Sequence, residues 1–140
     1  MRYLGLDLGT TSLGVAISDK TNTLVSPLTL IKFKSEDYDD ALKKLMDIIN
    51  EKNITIVVLG LPKNMDNTMG FAARRSLNFK DMLENEGLKV ILEDERLTTV
   101  EAINIMKNNG VKKINEKNKT DIVSAVLILE GYLKRCKNDK

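Results

Sequence analysis

The chain reads as a mixed α/β fold, a five-stranded sheet with helices on both faces, and three features predict it. Strand-like runs near 2–8, 13–18 and 23–32 follow one another through short turn-forming clusters. After residue 36 the apolar period changes to a helical one, and helical segments then alternate with two further apolar runs, 54–60 and 88–93. Short turns make the first three strands an antiparallel meander, whereas strands separated by helices favour parallel crossovers. All 140 residues are expected to form one domain.

The first two turns are Gly9-Thr10-Thr11-Ser12 and Asp19-Lys20-Thr21-Asn22, rich in residues that accept turn geometry. Tyr38, Leu42, Leu45 and Ile49 share a helical face, with Ser35 as expected N-cap, Glu36-Asp37 in the first turn and an end near Asn53. The β-branched run Ile54 to Gly60 shows no alternation, as expected of a central strand covered on both faces. Ala72, Ser76, Phe79 and Leu83 predict a second helix closing at Gly87, followed by a strand from Leu88 to about Glu93. Thr98-Thr99-Val100-Glu101 has the form of a capping box and predicts a helix to about Asn108, stopped by Gly110. A last helix is expected from about Thr120 to Arg135.

Composition narrows the chemistry. Lys plus Arg total 22 against 20 Asp plus Glu, a formal charge of +2, which argues against holding nucleic acid by bulk charge. The single cysteine, Cys136, forms no internal disulfide, no run approaches the length of a membrane span, and a cytoplasmic, membrane-free protein is expected. Histidine is absent, which excludes Ser-His triads and His-ligated zinc and leaves catalysis to carboxylates.

Three acidic places stand out. Asp7 lies in an apolar strand with no Lys or Arg between residues 3 and 19, so a divalent cation is the first partner to consider for its desolvated charge. An Asp-x-Gly-Thr-Thr hairpin also opens the phosphate-binding domains of sugar kinases and actin-like ATPases, but those pair two such domains and this chain has room for one. Glu93-Asp94-Glu95 close the later strand, at the carboxyl edge where α/β sheets place their ligand sites. Alternation separates Asp94 from Glu95; Glu95 is favoured and Asp94 held in reserve. Asp121 shares a helical face with Ala125, Ile128 and Tyr132, a stripe expected to pack on the sheet. Three carboxylates from separate elements suit hard ions, Mg2+ or Mn2+. Beside them, Arg74, Arg75 and Arg96 are candidates for phosphate contacts, Lys107 to Lys119 form a locally basic stretch, and no aromatic stacking platform for single strands is evident.

Asp7-Leu8-Gly9-Thr10, Gly60-Leu61-Pro62-Lys63-Asn64-Met65-Asp66, Asp94-Glu95-Arg96-Leu97-Thr98-Thr99 and Lys119-Thr120-Asp121 together resemble the YqgF family, in order and spacing over nearly the whole chain. That family is also described as Holliday junction resolvase-like proteins and as pre-16S rRNA nucleases. The resemblance implies a ribonuclease H-like fold and a metal-dependent nuclease acting in 5′-end maturation of 16S rRNA, with Asp7, Glu95 and Asp121 as metal ligands. Gly9, Thr10, Asn64, Asp66, Arg75, Arg96, Thr98 and Lys119 are the residues expected to bind substrate, the loop Leu61 to Asn67 because it follows a central strand onto the edge of the sheet that carries the acids. One departure is Asn67, where the family usually has Gly; asparagine tolerates left-handed backbone angles, so the turn is expected to survive.

Three functions remain open on sequence. The leading one is hydrolysis of precursor rRNA, with pre-rRNA and ribosomal particles as expected partners and a monomer or weak dimer as the expected state. Resolution of branched DNA keeps the chemistry and asks for two symmetric sites. A non-catalytic nucleotide- or RNA-binding module is the alternative of another class.

Overall fold

A computed structural model describes residues 2–62, 70–94 and 116–138, with side chains throughout except 116–121 and 137–138. Its elements are β1 (Tyr3–Leu8), β2 (Ser12–Ser18), β3 (Val25–Lys32), α1 (Tyr38–Lys52), β4 (Ile56–Leu61), α2 (Phe71–Asn85), β5 (Lys89–Asp94) and α3 (Glu116–Asn138). The capping-box helix expected over 98–108 lies outside the described residues.

The five strands order as β3-β2-β1-β4-β5. β1, β2 and β3 form the antiparallel meander, and β4 and β5 run parallel to β1. The β1–β2 turn closes through the Gly9 N–H donating to the Ser12 carbonyl at 2.8 Å. In the next turn the Asp19 carboxylate accepts from the Thr23 N–H at 2.8 Å and from the Thr21 hydroxyl, while Asn22 takes φ 57. β3 is an edge strand, and Pro27 withholds an N–H there beside a register shift at Val15/Ala16, both of which blunt the edge against further pairing.

Alternation sorts each strand onto two faces. Leu4, Leu6 and Leu8 of β1, Leu13 and Val15 of β2, and Val57 and Leu59 of β4 form one core with Ala41, Leu45 and Ile49 of α1 and Phe79 and Leu83 of α2. On the other face Val58 packs with Ile128, Leu129 and Leu133 of α3, joined by Tyr3, Ile91 and Tyr132. Gly5 lets α3 come down onto β1: a Cβ there would stand 2.6 Å from the Ala125 carbonyl oxygen and 2.7 Å from the Leu129 Cβ.

Helix ends differ from expectation at α1. The N-cap is Asp37, whose side chain accepts from the Asp40 N–H, and not Ser35; Glu36 takes φ 62, so the chain turns there and cannot yet be helical. Asn53 ends α1 in the left-handed conformation, and Gly87, at φ 90, follows α2, both as predicted. α3 begins at Glu116, a turn earlier than expected, and runs on to Asn138.

Candidate active site

Asp7 owes its position to strand parity. Even-numbered residues of β1 enter the α1/α2 core, while Tyr3 and Gly5 lie under α3, so Asp7 belongs to the α3 face and is half-buried at the carboxyl end of the strand. The neighbouring turn is held from outside: the Phe33 N–H donates to the Thr11 carbonyl at 3.0 Å, and the Glu36 N–H to the Thr10 carbonyl at 2.8 Å. Gly9 and the exposed Thr10 thus form a fixed rim beside Asp7.

α3 runs opposite to β1. Its residues Ala125 and Leu129 cover Gly5, and Tyr132 stacks on Tyr3 with ring centroids 6.0 Å apart. One helical turn before Ala125, roughly 6 Å back along the axis, comes position 121. Asp7 lies roughly 7 Å beyond Gly5 in the same direction. The backbone of position 121 therefore approaches the end of β1 that carries Asp7; the Asp121 side chain is outside the described set, as is that of Lys119.

On β5, Val90 and Leu92 pack into the α1/α2 core, and Asp94 shares their parity; Ile91 and Glu93 take the α3 face, which is that of Asp7. Glu95, the next odd-numbered residue, lies outside the described residues, together with Asn64, Asp66, Arg96 and Thr98. Among the described residues no three acidic or thiol side chains gather to hold a metal ion, which is unsurprising with two of three candidate ligands beyond that set. What is described fits a hard cation: an oxygen donor on a rigid strand, with no imidazole in the chain and Cys136 over a turn past Leu129 on α3.

Glu93 is the charged residue that sequence reasoning passed over. It is 5% exposed and pairs with Arg135 of α3. Gly131, one turn before Arg135, leaves the space it needs, since a Cβ there would be 3.1 Å from Glu93 Oε2. The pair ties β5 to α3, the two elements bearing on the Glu95 and Asp121 positions. Its signal in the sequence was an i,i+4 Gly-Arg on the last helix opposite an acid of apolar parity, too weak to find alone. Tyr132 has its phenol pushed up to about 12 by a hydrogen bond with Cys136 and by burial, so it stays protonated and serves packing.

An antiparallel meander extended by two parallel strands, with a terminal helix laid back over the first strand, defines a ribonuclease H-like protein. The chain belongs to the family described as "RuvX: Holliday junction resolvase", which matches residues 1–135, and this is the YqgF family of the sequence motifs. Similar proteins include a "Putative pre-16S rRNA nuclease" of Onion yellows phytoplasma, 44% identical over 93% of this chain and 87% of its own length. A protein of the same name from Geobacillus sp. (strain WCH70) is 42% identical over 95% of this chain and 97% of its own. Among solved structures, T. thermophilus RuvC in complex with Holliday junction substrate superposes with a TM-score of 0.63 at 14% identity, covering 98% of this chain and 96% of that one. Fowlpox virus resolvase with substrate Holliday junction DNA gives 0.58 at 17%, covering 97% and 99%. At those identities the structures speak for the fold alone. The protein is thus a nuclease, a hydrolase of phosphodiester bonds. No described helix is long and apolar enough to cross a membrane.

Proposed function

We propose that the protein is a metal-dependent nuclease that hydrolyses RNA phosphodiesters in 5′-end maturation of pre-16S rRNA in the cytoplasm, with Asp7, Glu95 and Asp121 holding Mg2+ or Mn2+. The observation that carries this reading is the half-buried Asp7 at the carboxyl edge, on the face over which α3 returns position 121. Support for Glu95 over Asp94 comes from parity, because Ile91 and Glu93 share Asp7's face. Support for RNA comes from the names of relatives 39–44% identical to this chain.

The residues divide the labour simply. Asp7, fixed on a strand bonded on both sides, sets the anchor point for charge; the acids of the later strand and last helix complete the oxygen set. A bound divalent ion supplies water of lowered pKa and offsets charge on the departing oxygen. The Gly9-Thr10 rim and Arg75 of α2 are assigned to orienting the phosphate backbone, and Asn64, Asp66, Arg96, Thr98 and Lys119 are assigned the same role from their places in the sequence motifs.

A second reading, resolution of branched DNA, has the family description in its favour. It requires two symmetric sites and hence a dimer on four-way DNA. Incubating precursor 16S RNA and four-way DNA in parallel, with magnesium, manganese or chelator, separates the two. Metal-dependent shortening of the RNA by wild type, lost in Asp7→Asn with folding retained, is the expected result. Full cleavage by Asp7→Asn, or cleavage undiminished by chelator, refutes the proposed site.

A further inference from the structure

Phe71 stands apart from every other aromatic side chain. The chain has three Phe and three Tyr. Tyr3 stacks on Tyr132, Phe33 meets Tyr38 edge-on, and Phe79 is 1% exposed, whereas Phe71 is 85% exposed. Leaving a phenyl ring in water forgoes a large burial gain. Its surroundings give that exposure a direction. Arg74 and Arg75 follow at three and four positions, which places them on the same helical face as Phe71 and beside the buried stripe Ala73, Ser76, Phe79 and Leu83.

Ion pairing on the sheet-packing helices is selective among the described residues. Lys44 pairs with Asp40, Lys80 with Glu84 and Arg135 with Glu93, but neither Arg74 nor Arg75 has an ion-pair partner among the described residues. The first turn of α2 contains no acid. A solvated ring next to two guanidinium groups that pair with no acid among the described residues is the combination that takes a base on its face and the adjoining phosphates on its planar donors. An acidic peptide would use the arginines and leave the ring idle, and a lipid surface asks for more than one ring.

Topology connects this patch with the nuclease site. α2 carries the chain from the carboxyl end of β4 back to the start of β5, so Phe71, its first residue, lies at the carboxyl edge that also carries Asp7 and Asp94. It belongs to the α1/α2 layer, across the sheet from the face of Asp7. The geometry points to Phe71 as a stacking platform for an unpaired base that flanks the cleaved bond, with Arg74 and Arg75 on the neighbouring phosphates, so that the preferred substrate has a single-stranded segment beside the cut. This rests on the nuclease reading and narrows it to a substrate class.

The test separates stacking from cleavage by measuring binding in chelator. A short single-stranded RNA carrying 2-aminopurine is titrated with wild type, Phe71→Ala, Phe71→Leu and Phe71→Trp, following anisotropy and the fluorescence quench that stacking causes; a fully paired duplex is the control. Phe71→Ala is expected to weaken single-strand binding about tenfold and abolish the quench, Phe71→Leu to lose the quench, and Phe71→Trp to restore both. Duplex affinity should change less than twofold. Arg74→Ala and Arg75→Ala should each lower the salt dependence of binding by about one counterion. Equal binding and quench in wild type and Phe71→Ala, or full quench with Phe71→Leu, overturns the proposal. Asp7→Asn is assayed for cleavage only, and that result bears on the nuclease reading and not on the stacking proposal.

Discussion

Gly5→Ala is the sharpest test of how this structure builds its site. The added methyl would stand 2.6 Å from the Ala125 carbonyl oxygen and 2.7 Å from the Leu129 Cβ. Carbon atoms in good contact sit about 3.5–4.0 Å apart, so α3 must withdraw by roughly 1 Å, and a backbone oxygen offers no rotation that would relieve the clash. A gap of that size forfeits a quarter to a half of the dispersion between α3 and the sheet, at Ala125, Ile128 and Leu129, all at most 1% exposed. Overpacking of this kind costs about 1–3 kcal/mol, and the tightness of both contacts favours the upper end. The lower unfolded-state entropy of alanine returns about 0.5–1 kcal/mol, leaving a net loss of about 2 kcal/mol. Urea titration should show the midpoint falling by about 1 M with an unchanged slope. Well below that midpoint, cleavage should also fall, because the helix carrying position 121 has moved relative to Asp7. A variant within 0.5 kcal/mol of wild type would refute the claim that close approach of α3 to β1 sets the site.

Other consequences can be checked in parallel. Arg135→Met strands the buried Glu93 carboxylate and should cost about 2–3 kcal/mol at neutral pH, below the usual range for a buried pair because the Arg135 side chain is 42% exposed; Glu93→Leu/Arg135→Met should recover most of it in chemical denaturation. Gly131→Ala should be near neutral, since only the movable end of Glu93 is crowded while the helix gains about 1 kcal/mol of propensity. Asp19 has its carboxyl held below the usual value, mainly by the Thr23 N–H; its contribution is present above the unfolded value and lost as pH falls through the folded one, so Asp19→Asn should flatten the acid limb of a stability–pH curve. Glu130 has its carboxyl raised by burial, with Lys134 opposing; stability from this group therefore declines as pH rises from the unfolded value through the folded one, and Glu130→Gln should remove that decline in thermal melts across the range.

Much of the fold was legible because its signals are local. Period-two and period-3.6 patterns, together with Asn53 and Gly87 at helix ends, placed five strands and three helices within a few residues of where they stand. The α1 cap was misplaced because Ser35 and Asp37 both suit an N-cap; the left-handed Glu36 between them, a conformation no local preference favours, made the choice. The edge position of β3 was not read from the sequence although Pro27 suits an edge strand, and its register shift depends on the partner strand.

Exposure is where sequence said least. Phe71 and Phe79 have the same side chain on one helix, and only packing against β4 and β5 makes one a core residue and leaves the other in water. The acids divide in the same way: Glu93, within a run of three, is the one captured by Arg135, more than forty residues on, a pairing that exists only once α3 lies across the sheet. What the sequence by itself determined is chemistry and order: no imidazole, oxygen donors, strands and helices in a given succession, because these follow from residue type and short-range period. What only the tertiary structure decided is which face and which neighbour each charge receives, because parity becomes direction only when strands pair in register and a distant helix closes over them.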